Sequence, residues 1–178
     1  DLSLPIGCAS ARRRVQLQRL FPQADIRPVR GNVQTRLRKL DAGQYGALVL
    51  AAAGLHRMGV DDRIHHYFSP DEIIPAAGQG IIAVQGREGE DFSCLAKFSN
   101  ADARDCALAE RSFTRTLNGG CSAPVAAYAE LTGDVIRIIG MYVNEDETIV
   151  RFGSCKGERK QAEQLGAQLA RRLQRGED

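Results

Sequence analysis

The segment that most constrains the fold is a seven-residue apolar run, ALVLAAA, at residues 47–53. A short continuous apolar run is typical of a strand that is buried on both faces of a parallel sheet. Two shorter strand-like segments precede it, at residues 6–9 and 26–29, and Pro28 places the second near an edge of the sheet. A segment with helical spacing follows each strand. This alternation predicts an α/β module with a parallel sheet.

Capping residues and apolar spacing predict the helices of this module. Ser10 is a predicted N-cap for a helix over residues 11–21. A second short helix is predicted over residues 33–40, and helical spacing also occurs at residues 54–59 and 61–68. The residues expected to face inward from the first helix are Val15, Leu17, Leu20 and Phe21.

The rest of the chain has a different pattern. Residues 69–80 are rich in Pro, Gly and Ala and predict a hinge or crossover, which is followed by a strand at residues 81–84. Two helices and three strands joined by short turns then predict an α+β unit with a three-stranded antiparallel sheet covered on one face. The helices are predicted over residues 100–117 and 160–173, and the strands over residues 125–131, 135–143 and 148–154.

The composition excludes several classes of protein. The chain has 178 residues, of which 43% are hydrophobic and 26% charged, close to the average for globular domains. Its longest apolar run is too short to cross a bilayer, and no secretory signal pattern is visible, so we expect no membrane partner. The five cysteines are odd in number and form no CxxC pair, which predicts free thiols in the cytoplasm and no zinc site.

Arginine dominates the basic residues of the first part. Up to Arg63 there are ten Arg and one Lys against five acidic residues, a net charge of +6, and the remainder carries −4. Arginine binds a carboxylate or a phosphate through two parallel hydrogen bonds. Arginines at successive strand-to-helix connections would converge on one cleft, where helix N-termini also favour anions. The arginines predicted to line this cleft are Arg12, Arg13, Arg30, Arg36 and Arg57.

Other interpretations of the basic residues remain open at this point. An arginine excess is also typical of a GC-rich genome, and three further arginines fit a solvated face. Nucleic acid is disfavoured because aromatic residues make up only 6% of the chain and none is interleaved with the basic run. A carboxylate or phosphate ligand fits better. The three arginines assigned to the solvated face are Arg14, Arg19 and Arg38.

One cysteine lies in an unusual loop, the sequence NGGCSAP at residues 118–124. Two glycines precede Cys121 and a proline follows it, which predicts a tight loop between a helix and a strand. A thiol in such a loop can be exposed and reactive, whereas a structural role is equally consistent with the residues alone. The three histidines form no metal-binding pattern, so no metal site is predicted.

Six segments together resemble the porphobilinogen deaminase family, whose members are also called hydroxymethylbilane synthases. They occur in the order of the family and span nearly the whole chain. The pairing of RGNVxTRLxKL with GGCxxP is highly specific. The segments are residues 7–16 (GCASARRRVQ), 29–40 (VRGNVQTRLRKL), 51–59 (AAAGLHRMG), 74–80 (IPAAGQG), 109–113 (AERSF) and 119–124 (GGCSAP).

The resemblance implies a fold. Members of the family have two α/β domains like those of periplasmic binding proteins, joined by two crossovers, and a third domain with a three-stranded antiparallel sheet. Residues 1–75 would be most of the second domain and residues 76–98 the crossover and the return strand of the first domain. Residues 99–178 would be the third domain. The resemblance also implies a monomer.

The resemblance further implies a reaction in tetrapyrrole (heme) biosynthesis. The family condenses four porphobilinogen molecules head to tail, with loss of ammonia, on a dipyrromethane cofactor that is held by a thioether. Cys121 matches the cysteine that carries this cofactor. The growing polypyrrole chain is a polycarboxylate, and the residues that match the carboxylate-binding positions of the family are Ser10, Arg12, Arg13, Arg30, Gly31, Arg36 and Arg57.

The chain also departs from the family pattern. The family's catalytic aspartate lies in an N-terminal motif, HSMKDVP, and nothing similar occurs here, so no catalytic residue is assigned and the N-terminal domain becomes an expected partner. Cys8 and Ala9 stand where a Thr-Ser pair is usual. We therefore expect the chain alone to be inactive. The alternative is a non-catalytic module that binds small polyanions, of the periplasmic-binding-protein type.

Overall fold

A computed structural model describes residues 3–118 and 124–177. The chain divides into two structural units, the first ending at Ile73 and the second beginning at Ile74.

The first unit is built on a three-stranded parallel sheet with the strand order β2-β1-β3. Ile6 of the central strand pairs with Ile26 on one side and with Ala47 on the other. A helix follows each strand, so the predicted parallel α/β arrangement is confirmed. The elements are β1 (Ile6–Gly7), α1 (Ala11–Leu20), β2 (Ile26–Arg27), α2 (Val33–Asp41), β3 (Ala47–Leu48) and α3 (Ala52–His56).

The first two helices begin at side-chain caps. Ser10 precedes α1, and its hydroxyl accepts a hydrogen bond from the Arg13 backbone N–H at 3.5 Å. Asn32 precedes α2 in the same way and accepts from the Thr35 N–H at 2.9 Å. Each cap occupies one of the backbone donors that a helix start leaves without a partner, and so fixes where the helix begins. The predicted cap at Ser10 is confirmed.

Three predictions for this unit are wrong in detail. The run at 47–53 is not a buried strand: only Ala47–Leu48 pairs, because β3 is an edge of the described sheet and α3 starts at Ala52. Leu20 and Phe21 are exposed because ten-residue α1 is about 15 Å long and extends past two-residue strands of roughly 7 Å. Residues 61–68 form only the 3-10 turn Asp61–Arg63, since the following His and aromatic residues favour helix weakly.

The second unit is a three-stranded antiparallel sheet, in the order β4-β5-β6, packed against two helices. Thr132 pairs with Val135 across a two-residue turn, in which Gly133 has a φ of +59°. The predicted α+β arrangement is confirmed. The elements are α4 (Ala101–Thr116), β4 (Ala126–Thr132), β5 (Val135–Val143), β6 (Val150–Glu158) and α5 (Ala162–Arg175).

The core of this unit lies between the sheet and the two helices. The apolar face of α5 supplies five of its residues, four of them at the positions predicted for an amphipathic helix. Phe113 of α4 and Leu169 of α5 are completely buried in this core. The core residues are Ala109, Phe113, Ala127, Ala129, Ile136, Ile138, Ala162, Leu165, Leu169, Ala170 and Leu173.

The second unit also differs from prediction. No strand forms at 81–84, because no described segment pairs with it, and Ile82 is 91% exposed. Coverage of the sheet is not confined to one face, since Ile139, Met141 and Val143 alternate with the core residues of β5 and are buried as well. The third strand runs to Glu158, past the predicted end at residue 154, because an edge strand accepts alternating polar residues.

Candidate anion-binding site

The strand-to-helix loops of the first unit form one edge of its sheet. Residues 8–10, 28–32 and 49–51 each leave the carboxyl end of a strand and lead to a helix. Because the three strands are parallel, these loops lie at the same edge, which we call the carboxyl edge. In open α/β sheets ligands bind at this edge. The N-termini of α1 and α2 also begin here, and their free N–H groups favour anions.

The β1–α1 loop places three of the predicted residues together. Ser10 caps the helix, and Arg12 and Arg13 lie in its first turn, all partly buried. The Nε of Arg12 is buried and has no hydrogen-bond partner among residues 3–118 and 124–177. Burial lowers the pKa of the Arg12 guanidinium, and the positive charge of Arg13 lowers it further. A bound anion would compensate both effects.

The β2–α2 loop places Arg30, Gly31 and Arg36. Arg30 and Gly31 are exposed, and the Nε of Arg36 donates to the Gly31 carbonyl at 2.8 Å. Lys39 donates from Nζ to the Arg30 carbonyl at 3.2 Å. Gly31 has a φ of +115°, which only glycine adopts readily. Two side chains of α2 therefore hold the backbone of the loop, and one of these contacts directs the Arg36 side chain towards Gly31.

Arg57 is placed differently from the other arginines. Sequence reasoning assigned it to a strand-to-helix connection, whereas it follows the last residue of α3. The five residues of α3 span about 7.5 Å, so Arg57 lies at the end of that helix away from the carboxyl edge. It is exposed. Arg57 consequently differs in position from the residues of the first two loops, and its role stays a prediction.

The five predicted arginines share one electrostatic property. None of them forms an ion pair with a carboxylate in the described ranges, although acidic partners occupy other arginines of the same unit. Arg27 pairs with Asp25 at 2.6 Å, and Arg63 pairs with Asp41. Arginine remains charged at neutral pH, so uncompensated guanidinium groups leave net positive charge. The five arginines without a carboxylate partner are Arg12, Arg13, Arg30, Arg36 and Arg57.

A cavity of about 490 Å³ lies in the same unit. Its lining includes Val49 and Leu50 of the third loop and none of the predicted anion-binding residues. The rest of the lining combines apolar side chains with the polar side chains of Arg63, His65 and His66. We assign the candidate site to the first two loops, because most of the predicted anion-binding residues lie there.

Sequence reasoning missed several residues that shape the site. Asn32 caps α2, and Thr35 packs against Gly31. Gln16 is buried and donates to the Arg12 carbonyl at 3.2 Å. An Asn before a helical pattern is a recognisable N-cap signal. The contact made by Gln16 has no local signal, because it depends on how α1 packs.

Cys121 lies outside the described residues, as do Gly119 and Gly120. The other four cysteines are free: Cys8 is buried, Cys94 is exposed, and Cys106 and Cys155 are partly buried. Within residues 3–118 and 124–177, no group of three or more His, Cys, Asp or Glu side chains has the arrangement of a metal site. In the same part of the chain, no helix combines the length and apolarity needed to span a membrane.

The fold and the site define a class of protein: an α/β unit with an arginine-rich carboxyl edge, linked to an α+β unit. Two sequence profiles match this chain. The profile described as "Porphobilinogen deaminase, dipyromethane cofactor binding domain" matches residues 2–94, and the one described as "Porphobilinogen deaminase, C-terminal domain" matches residues 105–175. The chain belongs to the porphobilinogen deaminase family. Profiles of this family match both the first and the second part of the chain, so the alternative of an unrelated polyanion-binding module is not supported.

Curated relatives support the same assignment. Porphobilinogen deaminase from Alkaliphilus oremlandii is 49% identical over 178 residues, which is all of this chain and 60% of the relative. The enzyme from Acetivibrio thermocellus is also 49% identical, with 61% of its length covered. The enzyme from Chromobacterium violaceum is 41% identical over 170 residues, with 55% covered. The chain thus spans about 60% of the length of the first two of these relatives.

Proposed function

We propose that this chain is the part of a hydroxymethylbilane synthase that holds the primer and binds the carboxylates of the growing polypyrrole. The observation that carries the proposal is the set of five arginines that have no carboxylate partner among residues 3–118 and 124–177, in a chain of this family. The enzyme is a transferase that condenses four porphobilinogen molecules head to tail with loss of ammonia. This chain supplies binding and attachment, and the remainder supplies the catalytic carboxylate.

The chemistry of the ligand matches the residues at the carboxyl edge. Each pyrrole unit carries an acetate and a propionate, so a polypyrrole needs several fixed cations. Arg12, Arg13, Arg30 and Arg36 offer guanidinium groups for bidentate hydrogen bonds. The Ser10 hydroxyl can donate to a carboxylate oxygen while it accepts from the helix, and Gly31 leaves the backbone accessible. Arg57 binds a more distant carboxylate of the polypyrrole.

Cys121 is the residue we assign to attachment. A thiolate is the natural nucleophile for an electrophilic methylene-pyrrole, and a thioether keeps the primer attached through every cycle. When bound, the dipyrromethane supplies the terminal pyrrole on which chain growth begins. The arginines of this chain orient its carboxylates. The uncompensated positive charge and the buried Nε of Arg12 are consistent with a polycarboxylate ligand of this kind.

The remaining part of the enzyme is the main partner that we propose. Residues 1–75 form most of a second, periplasmic-binding-protein-like domain, residues 76–98 the crossover and return strand of the first, and residues 99–178 the third. The exposed apolar side chains of Ile82 and Val84 support the assignment of a strand that pairs outside this chain. Without the remainder the chain forms no hydroxymethylbilane. We place the enzyme in the cytoplasm as a monomer.

Binding of porphobilinogen to arginine variants tests the carboxylate site. We expect Arg12→Ala to weaken binding, measured by calorimetry, by roughly tenfold to a hundredfold, since a hydrogen bond to a charged group contributes about 1.5–3 kcal/mol. Arg27→Ala is the matched control, because Asp25 already pairs with Arg27. Equal effects of the two variants, or no binding by the parent chain, would refute the site.

The intact mass of the chain, with peptide mapping, tests the attachment. Incubation with porphobilinogen and the remaining part of the enzyme should add the mass of two linked pyrroles at Cys121. Cys121→Ser should stay unmodified. Modification at another cysteine would overturn the assignment. Hydroxymethylbilane formed by the isolated chain would show that the catalytic carboxylate is not required from elsewhere.

A further inference from the structure

Glu110 of α4 connects two separate segments of the second unit through one carboxylate. Its Oε2 accepts a hydrogen bond from the Gly78 N–H at 2.6 Å, and its Oε1 accepts from the Ala129 N–H at 2.8 Å. Gly78 belongs to the segment 75–80, and Ala129 belongs to β4. The residue is 4% exposed. The contact therefore links the segment, the helix and the sheet in the interior.

The choice of a carboxylate at this position has a physical reason. Glu110 forms no ion pair with any described basic side chain, and burial raises its pKa, so the charge is unfavourable there. A glutamine would have nearly the same shape without this cost. However, a glutamine offers one acceptor oxygen and would direct its NH₂ at the second N–H donor. Only a carboxylate can accept from two backbone donors that approach from different segments.

The segment held by Glu110 is a compact double turn. The Gln79 N–H donates to the Ala76 carbonyl at 3.0 Å, and the Ile81 N–H donates to the Gly78 carbonyl at 3.1 Å. Gly78 has a φ of +73°, which suits glycine and turns its N–H towards Glu110. Ala77 packs against the core of the unit. The turn thus has an apolar contact and a charged hydrogen bond that hold it to the same unit.

Exposure changes abruptly after this turn. Ile74, which precedes it, is 5% exposed, whereas Ile82 is 91% exposed, and Val84 is also exposed. The apolar segment 81–84 therefore lies outside the packed core of the unit, directly after the turn that Glu110 holds. The direction of a segment depends on the backbone immediately before it, and Gly78 is the residue of this turn whose N–H is bonded to a side chain of α4.

We propose that Glu110 is a positioning residue, which acts through Gly78 to set the direction in which residues 81–84 extend from the core of the second unit. We take this segment to reach the remaining part of the deaminase, and that identification rests on the proposed function. The positioning itself does not, because it is a property of this chain alone.

Nuclear magnetic resonance on the 178-residue chain tests the proposal with two readouts. Hydrogen exchange of the Gly78 N–H reports the bond, and residual dipolar couplings of the amides of 79–84, relative to those of β5, report the direction. We expect Glu110→Gln to accelerate exchange at Gly78 by about tenfold or more and to average the couplings of 79–84 towards zero. Glu163→Gln, which removes an exposed carboxylate of α5 that pairs with Arg115, is the control and should change neither readout.

Two outcomes would overturn the proposal. Equal acceleration at Gly78 and at the amides of β5 would make Glu110 an ordinary contributor to the stability of the unit. Unchanged couplings of 79–84 would show that the direction is set elsewhere. If Glu110→Gln does not fold, Glu110→Asp serves instead: its charge is retained but its shorter side chain cannot reach both donors, and the same two readouts decide. Failure of the chain to bind the rest of the enzyme would contradict the proposed function and leave the Glu110 result intact.

Discussion

Gly166 of α5 lies directly against the backbone carbonyl of Ala109 in α4. A Cβ at Gly166 would overlap this oxygen and would also lie 2.9 Å from the carbonyl carbon of Ala109 and 3.1 Å from the Phe113 nitrogen. All three atoms belong to helical backbone, which cannot rotate away as a side chain can. The close approach of the two helices therefore depends on a residue without a side chain at this position.

We predict that Gly166→Ala destabilises the chain. Overpacking of a core typically costs 1–3 kcal/mol, and the overlap with helical backbone places Gly166→Ala at the upper end of this range. Alanine recovers about 1 kcal/mol of helix propensity, so we expect a net loss of about 2 kcal/mol in the free energy of unfolding. Urea denaturation provides the measurement. Gln168→Ala, at an exposed position of the same helix, should change stability by less than about 0.5 kcal/mol. A Gly166→Ala variant as stable as the parent would contradict the packing described.

The conformation of Gly31 predicts a second effect. Its φ of +115° is strained for other residues, and an added Cβ would lie 2.8 Å from Cγ2 of Thr35. We expect Gly31→Ala to lower the free energy of unfolding by about 2–3 kcal/mol and to weaken the binding of porphobilinogen. Gly43→Ala is the matched control, because Gly43 has a φ of +72° but no atom within 4 Å of the added Cβ, and should cost about 1 kcal/mol. Equal losses would show that the Thr35 contact contributes nothing.

The sequence predicted most of the elements because their signals are local. Ser10 as an N-cap, the apolar spacing of α5 and the short turn at Gly133 each depend on a few neighbouring residues. The same reasoning located the residues of the first two loops of the candidate site, since the alternation of strands and helices fixes which loops share an edge of a parallel sheet. The family motifs then supplied their proposed roles.

The predictions that were wrong concern non-local partners. An apolar run such as 81–84 is a strand only if another strand pairs with it, and no described strand does. The run at 47–53 pairs over two residues for the same reason. The contact of Glu110 with Gly78 joins residues 32 positions apart and has no local signal. Arg57 is separated from the carboxyl edge by the length of α3. That separation was not predicted, because the length of a short helix is not set by its sequence alone.

The free cysteines should differ in reactivity. The thiolate is the nucleophile, and burial raises the pKa of the Cys155 and Cys106 thiols, whereas Cys94 is exposed. We expect iodoacetamide at neutral pH to alkylate Cys94 at least about tenfold faster than Cys155, as followed by peptide mass spectrometry. In urea, where the chain is unfolded, the two rates should become similar. A Cys155 that reacts as fast as Cys94 in the folded chain would contradict its partial burial.

The buried carboxylate of Glu110 predicts a pH dependence of stability. Burial raises its pKa above the ordinary carboxyl value of 4.5, although the bonds from Gly78 and Ala129 partly oppose this shift. Between the ordinary value and the raised one, the folded state binds a proton that the unfolded state releases. Stability should therefore be greatest below the ordinary value and fall as the pH rises through the raised pKa.

Urea denaturation of the parent chain and Glu110→Gln across pH 4–8 isolates this contribution. The variant cannot ionise at position 110, so the difference in unfolding free energy, parent minus variant, should decrease with rising pH and then level off. Gln168→Ala should show no such slope, because neither side chain at that position ionises. A difference that instead increases with pH would mean that the two backbone hydrogen bonds stabilise the ionised carboxylate by more than burial destabilises it, and the charge at Glu110 would then favour folding.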